Sequence, residues 1–306
     1  MPNPNAMETI PVLFDTDIGS DIDDAVALAY LLRQPRCELL GITTVSGEPH
    51  KRASLVSATL KAAGRDGVPV HVGIEAPLVR SQVQPQATQF EALADKWAHD
   101  VYDNRQTAID FLRDTIRARP GEITLLAVGP FTNIGVLFTI DPEIPRLLKE
   151  MVVMGGQFFT RGYVKPASMS EWNILCDPHA ASIVFNAPLS RLVAVGIDVT
   201  RQVELDADEC RTRFDAAGGA LAPVASMAEV WFRHRPIITF HDPLAATVIF
   251  APSLCETMAG TISVEMTSAG LMGTTMFDAK PDGIHHAATT VSPGAFFEHY
   301  FGIVGS

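Results

Sequence analysis

The stretch FDTDIGSDIDDA (14–25) places five carboxylates within ten residues. Like charges this close repel one another, and the free N–H groups of a helix that begins near Ile22 would relieve about two of them. A hard divalent cation, which prefers oxygen ligands, is the simplest way to offset the repulsion among the remaining carboxylates. The stretch has no Cys or His, which disfavours zinc and softer metals. It therefore predicts a cation site built from several of its acids.

Two other kinds of site also begin with Asp-x-Asp. An EF-hand loop needs Gly at its sixth position and Glu at its twelfth, and counting from Asp15 these positions hold Ser20 and Val26. The stretch is therefore not an EF-hand. An Asp-x-Asp directly after the first strand also resembles the haloacid-dehalogenase phosphatases, in which Asp15 would be the nucleophile and Mg²⁺ the metal. A metal-dependent phosphatase stays an alternative.

Apolar, β-branched segments alternate along the chain with amphipathic helical patterns, as a parallel sheet with crossover helices requires. Four of the predicted strands run into loops rich in Gly, Asp or Ser, and such loops meet at the carboxyl edge of a parallel sheet, where ligands bind. We predict an α/β fold, with an open, mainly parallel β-sheet flanked by helices around a Rossmann-like core. The predicted strands are 10–14, 38–45, 69–73, 122–128, 150–154, 191–197, 262–267 and 287–291, and the helices are 22–34, 51–64, 105–118 and 177–187.

The chain of 306 residues is long for one domain, but α/β folds often reach this length as a single unit. Segment 75–100 contains Pro and Gln and has weak periodicity, while segment 206–240 is helical and then basic. We expect both segments to be lids or insertions over the sheet edge. The prediction is one domain over 1–306 that carries these two additions.

The chain is acidic, with a formal net charge of −12 and a pI near 5.1. Nucleic-acid binding draws on clustered Lys and Arg, so this balance argues against a nucleic-acid partner and favours a small ligand. No run approaches the roughly 18 apolar residues of a membrane span, and the first residues lack the pattern of a secretory signal. The chain has four cysteines, Cys37, Cys176, Cys210 and Cys255, and none forms a CxxC pair. Separate cysteines of this kind suit reduced thiols, which predicts a cytoplasmic protein.

Five short motifs follow one another along the chain: DTDIGSDIDDA (15–25), AVGPFTNIG (127–135), MGGQF (154–158), EWNILCDPHAA (171–181) and HDPLAA (241–246). Together they resemble the nucleoside hydrolases, the inosine-uridine preferring N-ribohydrolase family. The first motif differs from the usual D-x-D-P-G-x-D-D-A by Ile18 in place of Pro and by two extra residues before the acidic pair. The resemblance implies hydrolysis of the N-glycosidic bond of ribonucleosides to free base and ribose, by a homodimer or homotetramer.

The resemblance also implies that the cation is Ca²⁺ and that its protein ligands are oxygens. Asp17 would contact the metal and its bound water and act as the general base, and Asp24 would bind the cation with both carboxylate oxygens. Asp242 and the backbone carbonyl of Thr132 would be the remaining protein ligands.

The substrate contacts that the resemblance implies are polar side chains around the ribose. Asp23 would accept from a ribose hydroxyl, Glu171 and Asn173 would make further sugar contacts, and Asp242 would lie beside the same hydroxyls. His241, which precedes Asp242 in the family's order, would give a proton to the leaving base.

Two positions depart from the family pattern near this predicted sugar site. Glu48 stands where the family has an Asn, and Tyr163 falls near the position of a ribose-binding Asn, so we expect both in the substrate site with changed contacts. The family's His-Gly pair is absent from 80–100. An alternative is therefore a protein that hydrolyses or binds a different N-riboside. For the base, Trp172 is one of several aromatic residues suited to stacking.

Three other acids are expected to have structural roles. Asp15 matches an acid that would support the loop from behind, and Asp177, which precedes a Pro, fits a helix start. Asp21 lies in the two-residue extension, and we expect it to support the start of the following helix.

Overall fold

The computed structural model describes residues 8–93, 96–159 and 171–305. Tyr163, one of the predicted substrate residues, lies outside these ranges. Within them, no helix has both the length and the apolar character that are needed to cross a membrane.

The core of the fold is a nine-stranded sheet in the order β10-β9-β11-β6-β5-β4-β1-β2-β3. The strands from β11 to β3 in this order all pair in parallel, while β9 and β10 add an antiparallel edge. The predicted open, mainly parallel sheet is confirmed. The nine strands are β1 Ile10–Thr16, β2 Cys37–Thr44, β3 Val70–Val72, β4 Thr124–Ala127, β5 Glu150–Met154, β6 Leu192–Val195, β9 Cys255–Val264, β10 Thr275–Ala279 and β11 His285–Val291. A separate two-stranded antiparallel sheet consists of β7 Glu204–Asp206 and β8 Ile237–Thr239.

Helices cover both faces of this sheet. Along β1, Val12 and Phe14 belong to one hydrophobic core and Leu13 belongs to the other, because successive side chains of a strand point to opposite faces. A strand covered on both faces reads as a continuous apolar run, as residues 10–14 of β1 do. The helices are α1 Asp23–Arg33, α2 Pro49–Ala62, α3 Ala108–Ala118, α4 Thr132–Ile140, α5 Ile144–Leu147, α6 Trp172–Cys176, α7 Pro178–Phe185, α8 Ile197–Thr200, α9 Ala207–Ala217, α10 Leu221–Phe232, α11 His241–Phe250 and α12 Pro293–Val304.

The strand order reverses at β1. From this strand the chain moves outward through β2 and β3 on one side and through β4, β5 and β6 on the other. Loops that leave neighbouring strands in opposite directions open a crevice at the carboxyl edge, which is where open α/β sheets bind ligands. The loop after β1, with Asp17, and the loop after β4, with Gly129, border this crevice.

The antiparallel edge differs from the prediction. Strand β9 begins at Cys255 rather than at 262, and β10 was not predicted at all. Residues 256–258 of β9 are exposed, and β10 is buried only at Thr275. Edge strands with a solvent face carry polar residues, so their apolar signal is weak.

The two segments predicted as lids or insertions lie against each other. Segment 75–100 contains a 3₁₀ helix, Thr88–Ala92, which packs on α10 of the second segment. Trp97 Nε1 donates to Ser226 Oγ at 3.1 Å, and Arg233 forms an ion pair with Glu91. Whether either segment opens as a lid, and whether the whole chain is one domain, stay predictions.

Candidate active site

The loop after β1 folds back onto the first turn of α1. Thr16 Oγ1 donates to Asp24 Oδ1, and the backbone N–H of Asp17 donates to the same oxygen at 3.1 Å. Thr16 Oγ1 also accepts from the N–H of Ile18 at 3.1 Å. These bonds fix the backbone of the acidic motif, so that its carboxylates gather at the N-terminus of α1.

Three carboxylates from two helices meet at this point. Asp23 and Asp24 lie in the first turn of α1 and Asp242 lies in the first turn of α11, and one oxygen of each lies within 4.8 Å of the others. All three are buried. The N–H of Asp242 donates to Asp23 Oδ2 at 3.2 Å, which joins the two helix ends directly. We call these three residues the acidic triad.

Burial and mutual repulsion disfavour the ionised forms of the three carboxyls in the acidic triad. Burial raises the pKa of all three carboxyls well above the ordinary range, and the charges of the neighbouring carboxylates raise it further. Across the described ranges, no Lys, Arg or His side chain forms an ion pair with any of them. The charge of Arg52 lowers the pKa of Asp24 in part, but the guanidinium makes no ion pair with the triad. Buried oxygen ligands that no cationic side chain pairs with fit a hard divalent cation.

Asp17 lies beside the acidic triad rather than within it. Its Oδ2 accepts from Gln84 Nε2, and its Oδ1 lies against Gly129, where a Cβ would come within 2.9 Å of that oxygen. Burial raises the pKa of Asp17, while the nearby charge of Arg52 and the bond from Gln84 act in the opposite direction. The residue predicted as the general base is therefore an ionisable group with a fixed carboxylate.

Residues 82–92, which we call the crossing segment, pass over this loop and are held by backbone contacts. Arg52, fully buried, donates to the carbonyl oxygens of Asp17 and Ile18, to that of Gly47 at 2.8 Å and to that of Gln86 at 3.4 Å. A buried guanidinium is costly unless its donors are satisfied, and here the carbonyls satisfy them. Arg52 thus ties the crossing segment to the acidic motif.

Glu48 belongs to the same set of contacts. It adopts a left-handed backbone conformation, with φ of 56°, just before α2. One carboxylate oxygen accepts from Lys51 Nζ at 2.5 Å, and the other accepts from the N–H of Ala87 at 3.0 Å. Glu48 therefore holds the crossing segment, and its predicted contact with substrate stays a prediction.

Glu171 and Asn173 lie at the carboxyl ends of β4 and β5. The Glu171 carboxylate accepts from the N–H groups of Asn173 at 2.8 Å and Gly156 at 3.1 Å, and burial raises its pKa to about 7. Asn173 Nδ2 donates to the carbonyls of Val128 at 2.5 Å and Met154 at 3.2 Å. The structure brings both predicted sugar residues to the crevice and anchors them to its loops.

His241 opens α11 next to the acidic triad. Its Nδ1 lies 2.5 Å from Thr200 Oγ1, and burial, with the charge of Arg201, lowers its pKa to about 4. The imidazole is therefore neutral near pH 7. With Nδ1 bonded to Thr200, Nε2 is the ring nitrogen left to bond another group.

The acids expected to be structural have protein partners. Asp15 is fully buried and accepts from Thr43 Oγ1 at 2.5 Å and Asn133 Nδ2 at 2.7 Å. Asp177 caps α7, and it accepts from Thr132 Oγ1 at 2.8 Å. Asp21 accepts from the N–H of Ile22 at 2.6 Å at the start of α1. The carbonyl of Thr132 as a metal ligand stays a prediction.

Three residues at the site were not predicted from the sequence: Gln84, Arg52 and Thr200. Arg52 is one of several cations in a predicted helix, and Gln84 lies in a segment without periodicity. No local spacing marks them, since each acts on a residue far away in the chain. Their part in the site becomes visible only in the folded chain.

The comparisons with known proteins agree with this geometry. The family model described as inosine-uridine preferring nucleoside hydrolase matches residues 12–298. The inosine-uridine preferring nucleoside hydrolase of Crithidia fasciculata is 30% identical over 96% of this chain and 95% of its own. The pyrimidine-specific ribonucleoside hydrolase RihA of Citrobacter koseri is 30% identical over 88% of each chain.

Among solved structures, the purine-preferring ribonucleoside hydrolase from Gardnerella vaginalis has the same fold. The TM-score is 0.83 at 23% identity, and the alignment covers 96% of this chain and 98% of that one. Residues 12–298 carry all five motifs, and the acidic motif, Asp242 and the loops of the crevice lie together at the carboxyl edge of the sheet. The chain belongs to the inosine-uridine preferring nucleoside hydrolase family and is a nucleoside N-ribohydrolase.

Proposed function

We propose that this enzyme hydrolyses ribonucleosides to free base and ribose with Ca²⁺ as its cofactor and with Asp17 as the general base. The observation that supports this most directly is the acidic triad. Its three buried oxygens lie within 4.8 Å of one another, with no cationic side chain paired to them among the described residues, and the charge of nearby Asp17 raises the pKa of each. Such a donor set suits Ca²⁺, which takes six to eight oxygen ligands.

The residues that would hold the cation are Asp17, Asp24, Asp242 and the carbonyl of Thr132. When bound, Ca²⁺ supplies a Lewis acid that makes a water more acidic and attracts the 2′- and 3′-hydroxyls of ribose. The raised pKa of Asp24 and Asp242 fits this assignment, because a divalent charge at the same place would favour their ionised forms.

In the reaction, Asp17 takes one proton from the attacking water, and the oxygen of that water forms a bond to C1′ of ribose. The bond from C1′ to the base nitrogen breaks, and the ribose carbon passes through a cation-like transition state. Asp23, Glu171 and Asn173 would orient the ribose hydroxyls in front of these carboxylates. The leaving base takes up a proton, and the proposed donor is the imidazolium form of His241, which gives up the proton and returns to its neutral form. The lowered pKa of His241 makes this form a strong acid.

Pyrimidine and purine ribonucleosides are both candidate substrates. The Citrobacter koseri relative is pyrimidine-specific by name, and the Crithidia fasciculata relative is inosine-uridine preferring. Because Glu48 is engaged with the crossing segment, an N-riboside other than the common nucleosides is the second candidate substrate. The phosphatase alternative is wrong, since the chain belongs to another family and Asp15, its would-be nucleophile, is fully buried.

The cytoplasmic location and the homodimeric or homotetrameric state also stay proposals. The location is supported by the four cysteines, which are all buried and unpaired as thiols. The oligomeric state is supported by the family resemblance.

A substrate panel tests the proposed reaction. We expect the enzyme with Ca²⁺ to release reducing sugar from at least one purine or pyrimidine ribonucleoside. Chelation followed by dialysis should abolish the release, and added Ca²⁺ should restore it. Absence of release from every nucleoside, in protein shown by calorimetry to bind Ca²⁺, would refute the proposed reaction.

An exchange of Asp17 for Asn tests the general base. Asp17→Asn keeps the size of the side chain but cannot take a proton, so kcat should fall by about 10²- to 10⁴-fold. The matched control is Asp21→Asn, which removes a carboxylate from the same loop and should retain most of the activity. Near-normal turnover by Asp17→Asn would show that the base is a different group.

A further inference from the structure

Gln84 lies on the crossing segment with its side chain turned toward the acidic motif, and it is only 8% exposed. Its Nε2 donates to Asp17 Oδ2, and its Oε1 accepts from the indole Nε1 of Trp172. The family's His-Gly pair is absent from this part of the chain, so no motif assigns a role to Gln84. Its two contacts nevertheless place it between the proposed base and an aromatic residue at the edge of the crevice.

The orientation of this amide is determined at both ends. A carboxylate only accepts, so Asp17 requires the NH₂ end of the amide, and an indole N–H only donates, so Trp172 requires the carbonyl end. A flipped amide would oppose acceptor to acceptor and donor to donor. The two contacts therefore select the same orientation, and Trp172 acts on Asp17 through Gln84.

The Asp17 carboxylate is confined from both sides. Gln84 holds Oδ2, while Gly129 lies against Oδ1 at a distance that leaves no room for a Cβ. The backbone of Asp17 is also fixed, by the bond from its N–H to Asp24 and by the bond from Arg52 to its carbonyl. A base held in one orientation loses no further freedom when it takes a proton, which lowers the barrier of that step.

An amide suits this place because it carries no charge. A Lys or Arg donor to Asp17 would stabilise the ionised carboxylate and weaken it as a base, and it would also repel a cation bound next to it. Gln84 lowers the pKa of Asp17 through its hydrogen bond, but as a neutral donor it adds no further positive charge beside the proposed cation.

We propose that Gln84 is a positioning residue that holds the Asp17 carboxylate in the orientation in which it deprotonates water, and that Trp172 fixes the amide of Gln84. This inference rests on the proposed function, in which Asp17 is the base. It assigns to the crossing segment a direct part in the chemistry, in addition to covering the loop.

Steady-state kinetics of Gln84→Met test the proposal on the full chain with Ca²⁺ and a nucleoside that the wild type hydrolyses. Met has a similar length but no amide, so kcat should fall about ten- to a hundredfold, with KM changed less than about threefold. The matched control is Gln86→Met, because Gln86 is an exposed residue of the same segment, and it should keep the wild-type kcat. The kinetics are measured at Ca²⁺ concentrations that saturate each variant, as established by calorimetry, because loss of a hydrogen bond to a proposed ligand such as Asp17 can weaken metal binding by about 10- to 100-fold. Gln86→Met should change the Kd of Ca²⁺ by less than about threefold.

A second substitution separates positioning from general packing. Trp172→Phe keeps an aromatic ring and loses the indole N–H, so kcat should fall by a smaller factor than in Gln84→Met. The double variant Gln84→Met/Trp172→Phe should then be no slower than Gln84→Met alone, because both changes act through the same amide. Losses that multiply, or a kcat in Gln84→Met that is unchanged or higher, would overturn the inference.

The same experiments distinguish the inference from the proposed function. If the wild type releases no ribose from any nucleoside, the proposed function fails and the role of Gln84 falls with it. If the wild type is active, Asp17→Asn is inactive and Gln84→Met keeps its kcat, only the inference about Gln84 fails.

Discussion

Gly129, in the loop after β4, lies so close to Asp17 that a methyl group would not fit. A Cβ at this position would lie 2.9 Å from both the backbone nitrogen and Oδ1 of Asp17, and 2.8 Å from Val45 Cγ1. The backbone of Asp17 is tied to Asp24 and to Arg52, so it cannot move aside without breaking those bonds. Contact at this distance therefore forces the carboxylate itself to shift.

We expect Gly129→Ala to lower kcat by about a hundredfold, the loss that a displacement of about 1 Å at a reacting group can cause. The control is Gly67→Ala, because nothing lies within 4 Å of the added Cβ there. Initial rates at saturating nucleoside measure both variants. A Gly129→Ala enzyme with the rate of the wild type would mean that the position of Asp17 does not limit the reaction.

At the scale of elements, two side chains bind the backbone of the crossing segment from one side, Arg52 of α2 and Glu48, the residue before that helix. Glu48 holds the N–H of Ala87, and the bond is to a charged acceptor, which makes it stronger than a neutral hydrogen bond. Arg52 holds the carbonyl of Gln86, one residue earlier. Arg52 and Glu48 thus bind the carbonyl and the N–H of one peptide group, the one between Gln86 and Ala87.

We expect Glu48→Ala to speed amide hydrogen exchange in 82–92 by about tenfold, because the segment opens more often when this bond is lost. Exchange followed by mass spectrometry measures it, and peptides of β1 and β4 should be unchanged. Glu122→Ala is the control, since Glu122 pairs with Arg119 and has no contact with the segment. Unchanged exchange in 82–92 would show that other contacts hold it.

The parallel strands are the elements that could be predicted best. From β1 to β6 the predicted and observed ends agree to within two residues, as for 10–14 and Ile10–Thr16, because a strand covered on both faces is one apolar run. The edge strands could not be predicted in this way. β10 is largely exposed after its first residue, and residues 256–258 of β9 are exposed in succession, so neither segment is an apolar run.

The site was predictable only where its chemistry is local. The acidic motif and HDP could be recognised because each is a short run with a known order of residues. The bonds from Arg52 and Gln84 to Asp17 span 35 and 67 residues in the sequence. No motif around Arg52 or Gln84 indicates that its partner is Asp17. Contacts of this kind depend on the path of a loop, which no periodic pattern specifies.

For the whole molecule, the buried acids make the stability of the metal-free protein depend on pH. Burial raises the pKa of Asp15 and Glu171 to about 7, and that of the acidic triad is raised too, whereas the same groups in the unfolded chain titrate near pH 4. Between about pH 4 and pH 7 the unfolded state therefore binds fewer protons than the folded state. Under that condition the free energy of unfolding falls as pH rises.

Thermal unfolding of the chelated, dialysed protein should accordingly have a lower midpoint at about pH 7.5 than at about pH 5.5. Added Ca²⁺ should raise the midpoint more at the higher pH, because the ligands must be deprotonated to bind it. Mg²⁺ at equal concentration serves as the comparison, since it demands a stricter geometry. A midpoint that rises with pH in the metal-free protein would contradict this account.

The hydrogen bond between Asp23 and Asp242 joins positions 219 residues apart, and it has a consequence for synthesis. On the ribosome, the N-terminal acids leave the exit tunnel long before α11 has been translated. During that interval α1 presents its carboxylates without the oxygen that Asp242 contributes. With the proposed cation site, tight binding of the metal therefore comes late, after β1 to β6 have all been made, while β11, which completes the parallel part of the sheet, is still to be translated.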